Sequence, residues 1–348
     1  MSKIMDVTLR DGSYAVNFQF STADVKIIGK ELDELGYPYI EIGHGMGMGA
    51  SSHKNGIALN TDWEYLEAAK DSIKQAKVGM FCIPGIAKLE HIRKAKELGL
   101  DFVRIGTNVD RVQESKEYIQ EAKKYGMEVM ANYMKSYAMN PKDFVKQVLL
   151  SEQYGADVVY LVDSAGSMLP NDIVEYYKAI REKSQIRLGF HGHNNLGLAL
   201  SNSLLAEELG FDLIDTSLQG LGRSSGNAST ELFTICSMKK GAKININYKR
   251  LLMFSNKIIA PYIKNKGINS IDTICGVAGF HTSYLQVIHK VAALYSVDPL
   301  ELIEEYSKLD QLNMNEDKLR DIAKGLSENI DSFINVNFVD YFGHEQIN

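Results

Sequence analysis

The chain has 348 residues, 45% hydrophobic and 24% charged, enough to bury one large core or one large and one small. A formal net charge of −6 gives no electrostatic footprint for nucleic acid, and no apolar run approaches the roughly 18 residues of a membrane span. The N-terminal segment lacks the long apolar stretch of a secretory signal, so a cytoplasmic globular enzyme is expected. Cys82, Cys236 and Cys275 have no pair spacing, which argues against a disulfide framework or a CxxC metal site.

Short apolar runs alternate with longer amphipathic ones. The first, "IMDVTL", is expected as a strand that runs out in Arg10-Asp11-Gly12, and "STADVKIIGKELDELGY" follows as a helix with Ser21 and Asp24 in a capping pattern. Further strands are expected at "YIEIG", "VGMFCI", "FVRIG", "EVMANYM", "VVYLV", "RLGFHGH" and "LIDTSL", with helices between them such as the proline-led "PNDIVEYYKAIREKS". Eight strand-plus-helix units of about thirty residues predict a parallel (β/α)8 TIM barrel rather than an open doubly wound sheet. Near-continuous apolar runs suit strands buried on both faces. This barrel domain is placed at residues 1–247. From Tyr248 on, patterns such as "YLQVIHKVAALYSV" and "DPLELIEEYSKL" predict a small helical domain over 248–348, ending in the apolar tail "SFINVNFVDYF".

Chemistry in such a barrel sits at the carboxyl ends of the strands. The polar residues there are Arg10 and Asp11 at strand one, Glu41 and His44 at two, Asn132 at five, Asp163 and Ser164 at six, and His191 and His193 at seven. His191 and His193 are two apart on a strand, so they point to the same side about 7 Å apart, close enough to clamp a metal ion. Two hydrogen-bonded core histidines are the alternative. Asp11, at the end of strand one, is separated from strand seven only by strand eight around the closed barrel, so the three can meet near its mouth. Two imidazoles, one carboxylate and open positions suit an octahedral divalent ion, and the lack of cysteine favours Mn²⁺ or Mg²⁺ over a structural zinc. The same ligand set also serves iron oxygenases.

These residues stand in a recurring context. "DVTLRDG", "IEIGHGMGMGASS", "VDSAGSMLP", "GFHGHNNLGLALSNSLLA" and "LQGLGRSSGNAS" together resemble the metal-dependent pyruvate aldolases of the 4-hydroxy-2-oxovalerate aldolase type. That group lies within the superfamily of hydroxymethylglutaryl-CoA lyase and isopropylmalate synthase. "GVAGFHTSYL" resembles the opening of its helical C-terminal domain. The resemblance implies Asp11, His191 and His193 as metal ligands, with Asn227 at or near the metal. It implies Arg10 as the cation facing an enolate oxygen, and Ser164 and His44 at the 2-oxo acid. Mn²⁺ is the ion expected first, with Mg²⁺, Co²⁺ or Zn²⁺ as alternatives. The expected reaction is cleavage or formation of a 4-hydroxy-2-oxo acid, with a 2-oxo acid and an aldehyde as small-molecule partners. An acylating aldehyde dehydrogenase bound through the helical domain is also implied; a free or homo-oligomeric protein is the alternative, as is an acyl-CoA condensing enzyme or a metal-binding barrel without aldolase activity.

Taken singly, each feature has a plainer reading. Arg10-Asp11 reads as a local salt bridge, Asp163-Ser164 as a cap for the helix near Pro170, and "GLGRSSGN" and "HGMGMG" as glycine turns, the latter with core methionines. Joint occurrence at successive strand ends favours the site. Two departures from the family stand out. Tyr14 occupies the place of the family's histidine base, and His281 that of its tyrosine, so His281 is expected to act as the base with Tyr14 donating a hydrogen bond; a purely structural His281 is the alternative. Met46 replaces a usual aspartate.

Overall fold

Each apolar run singled out above forms a strand. β1 (Lys3–Asp6), β2 (Tyr39–Ile42), β3 (Lys77–Cys82), β4 (Phe102–Asn108), β5 (Glu128–Met134), β6 (Val158–Asp163), β7 (Arg187–Gly192) and β8 (Leu213–Thr216) pair in parallel in chain order. β8 closes back on β1, with Met5 opposite Asp215. The computed structural model describes residues 2–263 and 269–327; the tail "SFINVNFVDYF" lies outside them.

Helices α1 (Thr22–Leu35), α2 (Asp62–Ser72), α3 (Leu89–Glu97), α4 (Lys116–Lys124), α5 (Pro141–Tyr154), α6 (Pro170–Arg181), α7 (Ala199–Leu209) and α8 (Thr230–Lys239) return the chain between strands and wrap the barrel. Their starts follow local chemistry. Ser21 and Asp24 form a reciprocal capping box at α1, and Pro170 opens α6 where its missing N–H costs nothing. Inside the barrel, Met5, Val7, Tyr39, Phe102, Met130, Val158, Tyr160, Val162 and Leu213 fill the lumen, which makes it a packed core rather than a pore.

The first strand is shorter than expected and ends at Asp6. The Asp6 carboxylate accepts the Thr8 N–H at 2.9 Å, and the N–H groups of Arg10, Asp11 and Gly12 all converge on the Val7 carbonyl. The chain therefore leaves the sheet in a tight turn and a 3-10 helix over Asp11–Val16, and Arg10 and Asp11 stand on that turn. Thr230 Oγ1 also donates to Asp6, at 2.8 Å. Burial pushes the Asp6 carboxyl up to about 7, against the hydrogen bonds from Thr8 and Thr230. Between its ordinary value and about 7 the native state holds a proton that the unfolded state has lost, so this site loses stability as pH rises through that window. Asp6→Asn is expected to remove that component, and thermal melts from pH 4 to 8 check it: the variant's melting temperature should gain on wild type as pH rises.

Beyond the barrel come α9 (Tyr248–Ile258), α10 (Ser270–Ala278), α11 (Leu285–Tyr295), α12 (Pro299–Leu309) and α13 (Glu316–Ser327). Leu251 of α9 and Ile259 pack into the outer core of the barrel, whereas Ile271, Phe280, Ile288, Leu302 and Tyr306 build a separate apolar cluster. Lys135, just past β5, ties the two together. Its buried ammonium donates to Tyr284 Oη at 2.8 Å and to the Leu312 carbonyl. Cys82, Cys236 and Cys275 are free thiols.

Candidate active site

Asp11 on the turn after β1, His191 on β7 and His193 one residue past it offer ligand atoms that all lie within 4.8 Å of one another, and all three are buried. The histidines are oriented from behind. His191 Nδ1 lies 2.9 Å from Asp215 Oδ2, and His193 Nδ1 lies 3.3 Å from the Gly226 carbonyl oxygen. Each of those oxygens accepts the Nδ1 proton, which leaves both Nε2 atoms bare and facing each other at 3.3 Å. Two lone pairs at that distance repel until a cation lies between them. Burial holds His193 down at about 3 despite the pull of Asp11, so the ring is neutral, as a ligand must be. For Asp11, burial is the largest influence and opposes ionisation, but Arg10, His193, His191 and Arg223 together outweigh it and hold the carboxyl well below the usual carboxylate range.

Asn227 completes the fit. Its Nδ2 donates to Asp11 Oδ1 at 3.2 Å, while its Oδ1 is buried with no hydrogen-bond partner. Such an orphaned oxygen costs about 1–3 kcal/mol, a penalty that coordination to a cation would offset. The residues present thus fit a divalent metal ion. The loop "GLGRSSGN" serves this cluster: the Arg223 N–H donates to Asp11 Oδ1 at 3.2 Å. Gly222 is needed there: a Cβ at that position would stand 2.3 Å from Asn227 Nδ2 and 2.9 Å from Asp11 Oδ1.

Arg10 forms the expected salt bridge, and more. Its Nη1 lies 2.7 Å from Asp11 Oδ2 and its Nε 2.7 Å from Glu41 Oε2, with the guanidinium over the Phe81 ring. Two carboxylates and a ring hold the cation rigidly at the rim of the metal site. Ser164 Oγ accepts the Lys135 N–H at 3.0 Å, and its own hydroxyl proton stays available to donate. Asp163 is used structurally, accepting the N–H groups of Ser167 and Met168 at 2.9 Å each.

Tyr14, Phe18, Met46 and Ala50 form a small apolar cluster beside the mouth, so Met46 packs where a charged aspartate could not. Gly45 lets the Tyr14 ring approach, since a Cβ there would lie 2.3 Å from the ring. His44 is built into this wall. Its Nδ1 accepts the Met46 N–H at 3.1 Å, its Nε2 lies 3.2 Å from the Gly56 carbonyl oxygen, and its ring stacks on Phe18 at 3.9 Å. Both ring nitrogens thus serve the loop after β2. His281 is buried between α10 and α11, its Nδ1 2.6 Å from Ser283 Oγ. Burial, then the charges of Arg223, Lys135 and His193, push its imidazole well below the ordinary histidine value.

Reading strand ends overlooked two buried residues deeper in the barrel, Arg104 on β4 and Asp215 on β8. Both had a signal: "FVRIG" and "LIDTSL" each carry one charge inside a run that a doubly buried strand should keep apolar. Glu41, visible only as a polar residue, turns out to be the anchor of Arg10.

An eight-stranded parallel barrel with a buried two-histidine, one-carboxylate centre at the carboxyl ends of its strands defines a metal-dependent barrel enzyme. The sequence profile of the HMGL-like family matches residues 2–258. Curated relatives include a 4-hydroxy-2-oxovalerate aldolase of Geobacillus genomosp. 3, 35% identical over 93% of this chain and 97% of that protein. Another, from Thermomicrobium roseum, is 37% identical over 92% and 90%. Among solved structures, the N-terminal domain of a candidate aldolase from Bacteroides vulgatus superposes with a TM-score of 0.71 at 26% identity, covering 83% of this chain and 96% of that one. The carboxyl transferase domain of Rhizobium etli pyruvate carboxylase shares the fold at a TM-score of 0.74 and 16% identity, over 94% and 60%. The chain belongs to the HMGL-like family.

Proposed function

We propose that this protein is a divalent-metal-dependent carbon–carbon lyase, an aldolase that cleaves a 4-hydroxy-2-oxo acid to pyruvate and an aldehyde or runs the reverse addition. The observation that carries the reading is the pair of bare Nε2 atoms beside Asp11, with Arg10 fixed at its rim. Relatives named 4-hydroxy-2-oxovalerate aldolase support it. A divalent ion held by Asp11, His191, His193 and Asn227, Mn²⁺ foremost and Mg²⁺, Co²⁺ or Zn²⁺ after it, supplies a Lewis acid for the 2-oxo acid. The Ser164 hydroxyl donates to the substrate carboxylate. As the bond between C3 and C4 breaks, its electron pair passes to the keto oxygen as an enolate, and the Arg10 guanidinium stabilises that charge more in the transition state than in the ground state.

The proton on the 4-hydroxyl needs a base. We assign this to His281: burial keeps its imidazole unprotonated at neutral pH, and its Nδ1, which accepts the Ser283 N–H at 3.2 Å, carries the lone pair that takes the proton once that contact opens. Tyr14 donates a hydrogen bond in that exchange. His281→Ala is expected to lower turnover by about 10²–10⁴-fold while Mn²⁺ affinity, measured by titration, stays unchanged. Unchanged turnover would return His281 to a structural role. With this reading go a catalytic barrel over 1–247 and a helical domain over 248–348, a cytoplasmic site of action, and a free or homo-oligomeric protein, with an acylating aldehyde dehydrogenase as the alternative partner. Among the described residues no helix is long and apolar enough to cross a membrane.

A further inference from the structure

Beneath the metal centre, Arg104 is fully buried at 0% exposure in the lumen of the barrel. A cation there demands compensation, and the compensation is specific. Its Nη1 lies 2.5 Å from Asp215 Oδ2, and its Nε makes an ion pair at 3.2 Å with Glu41 Oε1 in which the N–H does not point along the contact. Its guanidinium carbon sits 4.4 Å from the centre of the Tyr160 ring, and Asn132 Oδ1 stands 3.4 Å from Nη1. Each of its two carboxylates has a second task. Glu41 Oε2 holds Arg10 at 2.7 Å, and Asp215 Oδ2 holds His191 Nδ1 at 2.9 Å. The contacts run as a ring: Asp11, Arg10, Glu41, Arg104, Asp215, His191, and back to Asp11 across 3.8 Å.

We propose that Arg104 is a positioning residue that sets both halves of the site at once: through Asp215 it fixes the tautomer of the metal ligand His191, and through Glu41 it fixes the guanidinium of Arg10. The physical reason is charge. Asp215 and Glu41 are buried at 2% and 0% exposure, and without the cation between them two buried carboxylates would be left short of a partner. Asp215, no longer held by Nη1, would then turn away from its present place. His191 Nδ1 thereby loses its acceptor, its proton can move to Nε2, and the ligand lone pair is lost. Partners of metal-bound histidines typically account for about 10–100-fold in metal affinity, and a residue that holds such a partner inherits part of that.

The inference rests on the metal-binding half of the proposed function, and its test does not use turnover, so a failed aldolase assay would leave it standing. Metal-stripped wild type, Arg104→Met and Arg104→Lys are titrated with Mn²⁺ by calorimetry, with circular dichroism confirming the fold of each. Arg104→Met is expected to bind Mn²⁺ about 10-fold more weakly. In ¹⁵N spectra of its imidazoles, His191 should change from a single Nδ1–H form to a mixture. Arg104→Lys, which keeps the charge but reaches only one carboxylate, is expected to recover part of the affinity, and it carries the test if the methionine variant does not fold. Wild-type affinity and an unchanged His191 signal in whichever variant folds would overturn the proposal.

Discussion

Asp11→Asn is expected to cut pyruvate release by about a thousandfold or more, the largest single effect the site allows. The substitution preserves shape and removes the only negative charge among the three ligand residues. It acts twice. The amide is a poorer ligand than the carboxylate, and it no longer neutralises Arg10 at 2.7 Å, so the guanidinium swings toward Glu41 and away from the mouth. Mn²⁺ titration and steady-state kinetics on the same preparation check this, with loss expected in both. Full activity in the variant would remove Asp11 from the metal centre.

Arg10→Lys should be the second most damaging change. The lysine keeps the charge and loses the fork that spans Asp11 and Glu41 while facing substrate. Because the enolate charge exists fully only as the bond breaks, the loss should fall on kcat, by about 10²–10³-fold, with KM changed by much less. A loss confined to KM would mean that Arg10 binds the ground-state carboxylate instead.

The eight strands and the cluster of Asp11, His191 and His193 were legible because both are written in local signals. An apolar run between turn residues and a histidine pair at the period of a strand need no tertiary information. The end of β1 was not legible. What stops it is Asp6 folding back on Thr8 and three N–H groups converging on Val7, a turn that "IMDVTL" carries without glycine or proline. Arg104 and Asp215 were hidden for another reason. Arg104 pairs with Glu41 63 positions before it and with Asp215 111 positions after it, and Asp215 meets His191 24 positions before it, so only closure of the barrel brings them together. The contacts of His44 were hidden for the same cause, since its partner at Gly56 belongs to a loop whose course the sequence does not announce. Aspartate and histidine at a strand end look alike whether they face substrate or brace the wall behind it.

The central claim is that the buried Asp11, His191 and His193 centre carries metal-dependent aldol cleavage. Pyruvate release from racemic 4-hydroxy-2-oxopentanoate tests it most directly, measured on metal-stripped protein before and after Mn²⁺ is restored. Release that appears only with the metal is the predicted result. Stoichiometric Mn²⁺ binding with no pyruvate formed would contradict it and would turn attention to what Tyr14 and Met46 have done to the choice of substrate.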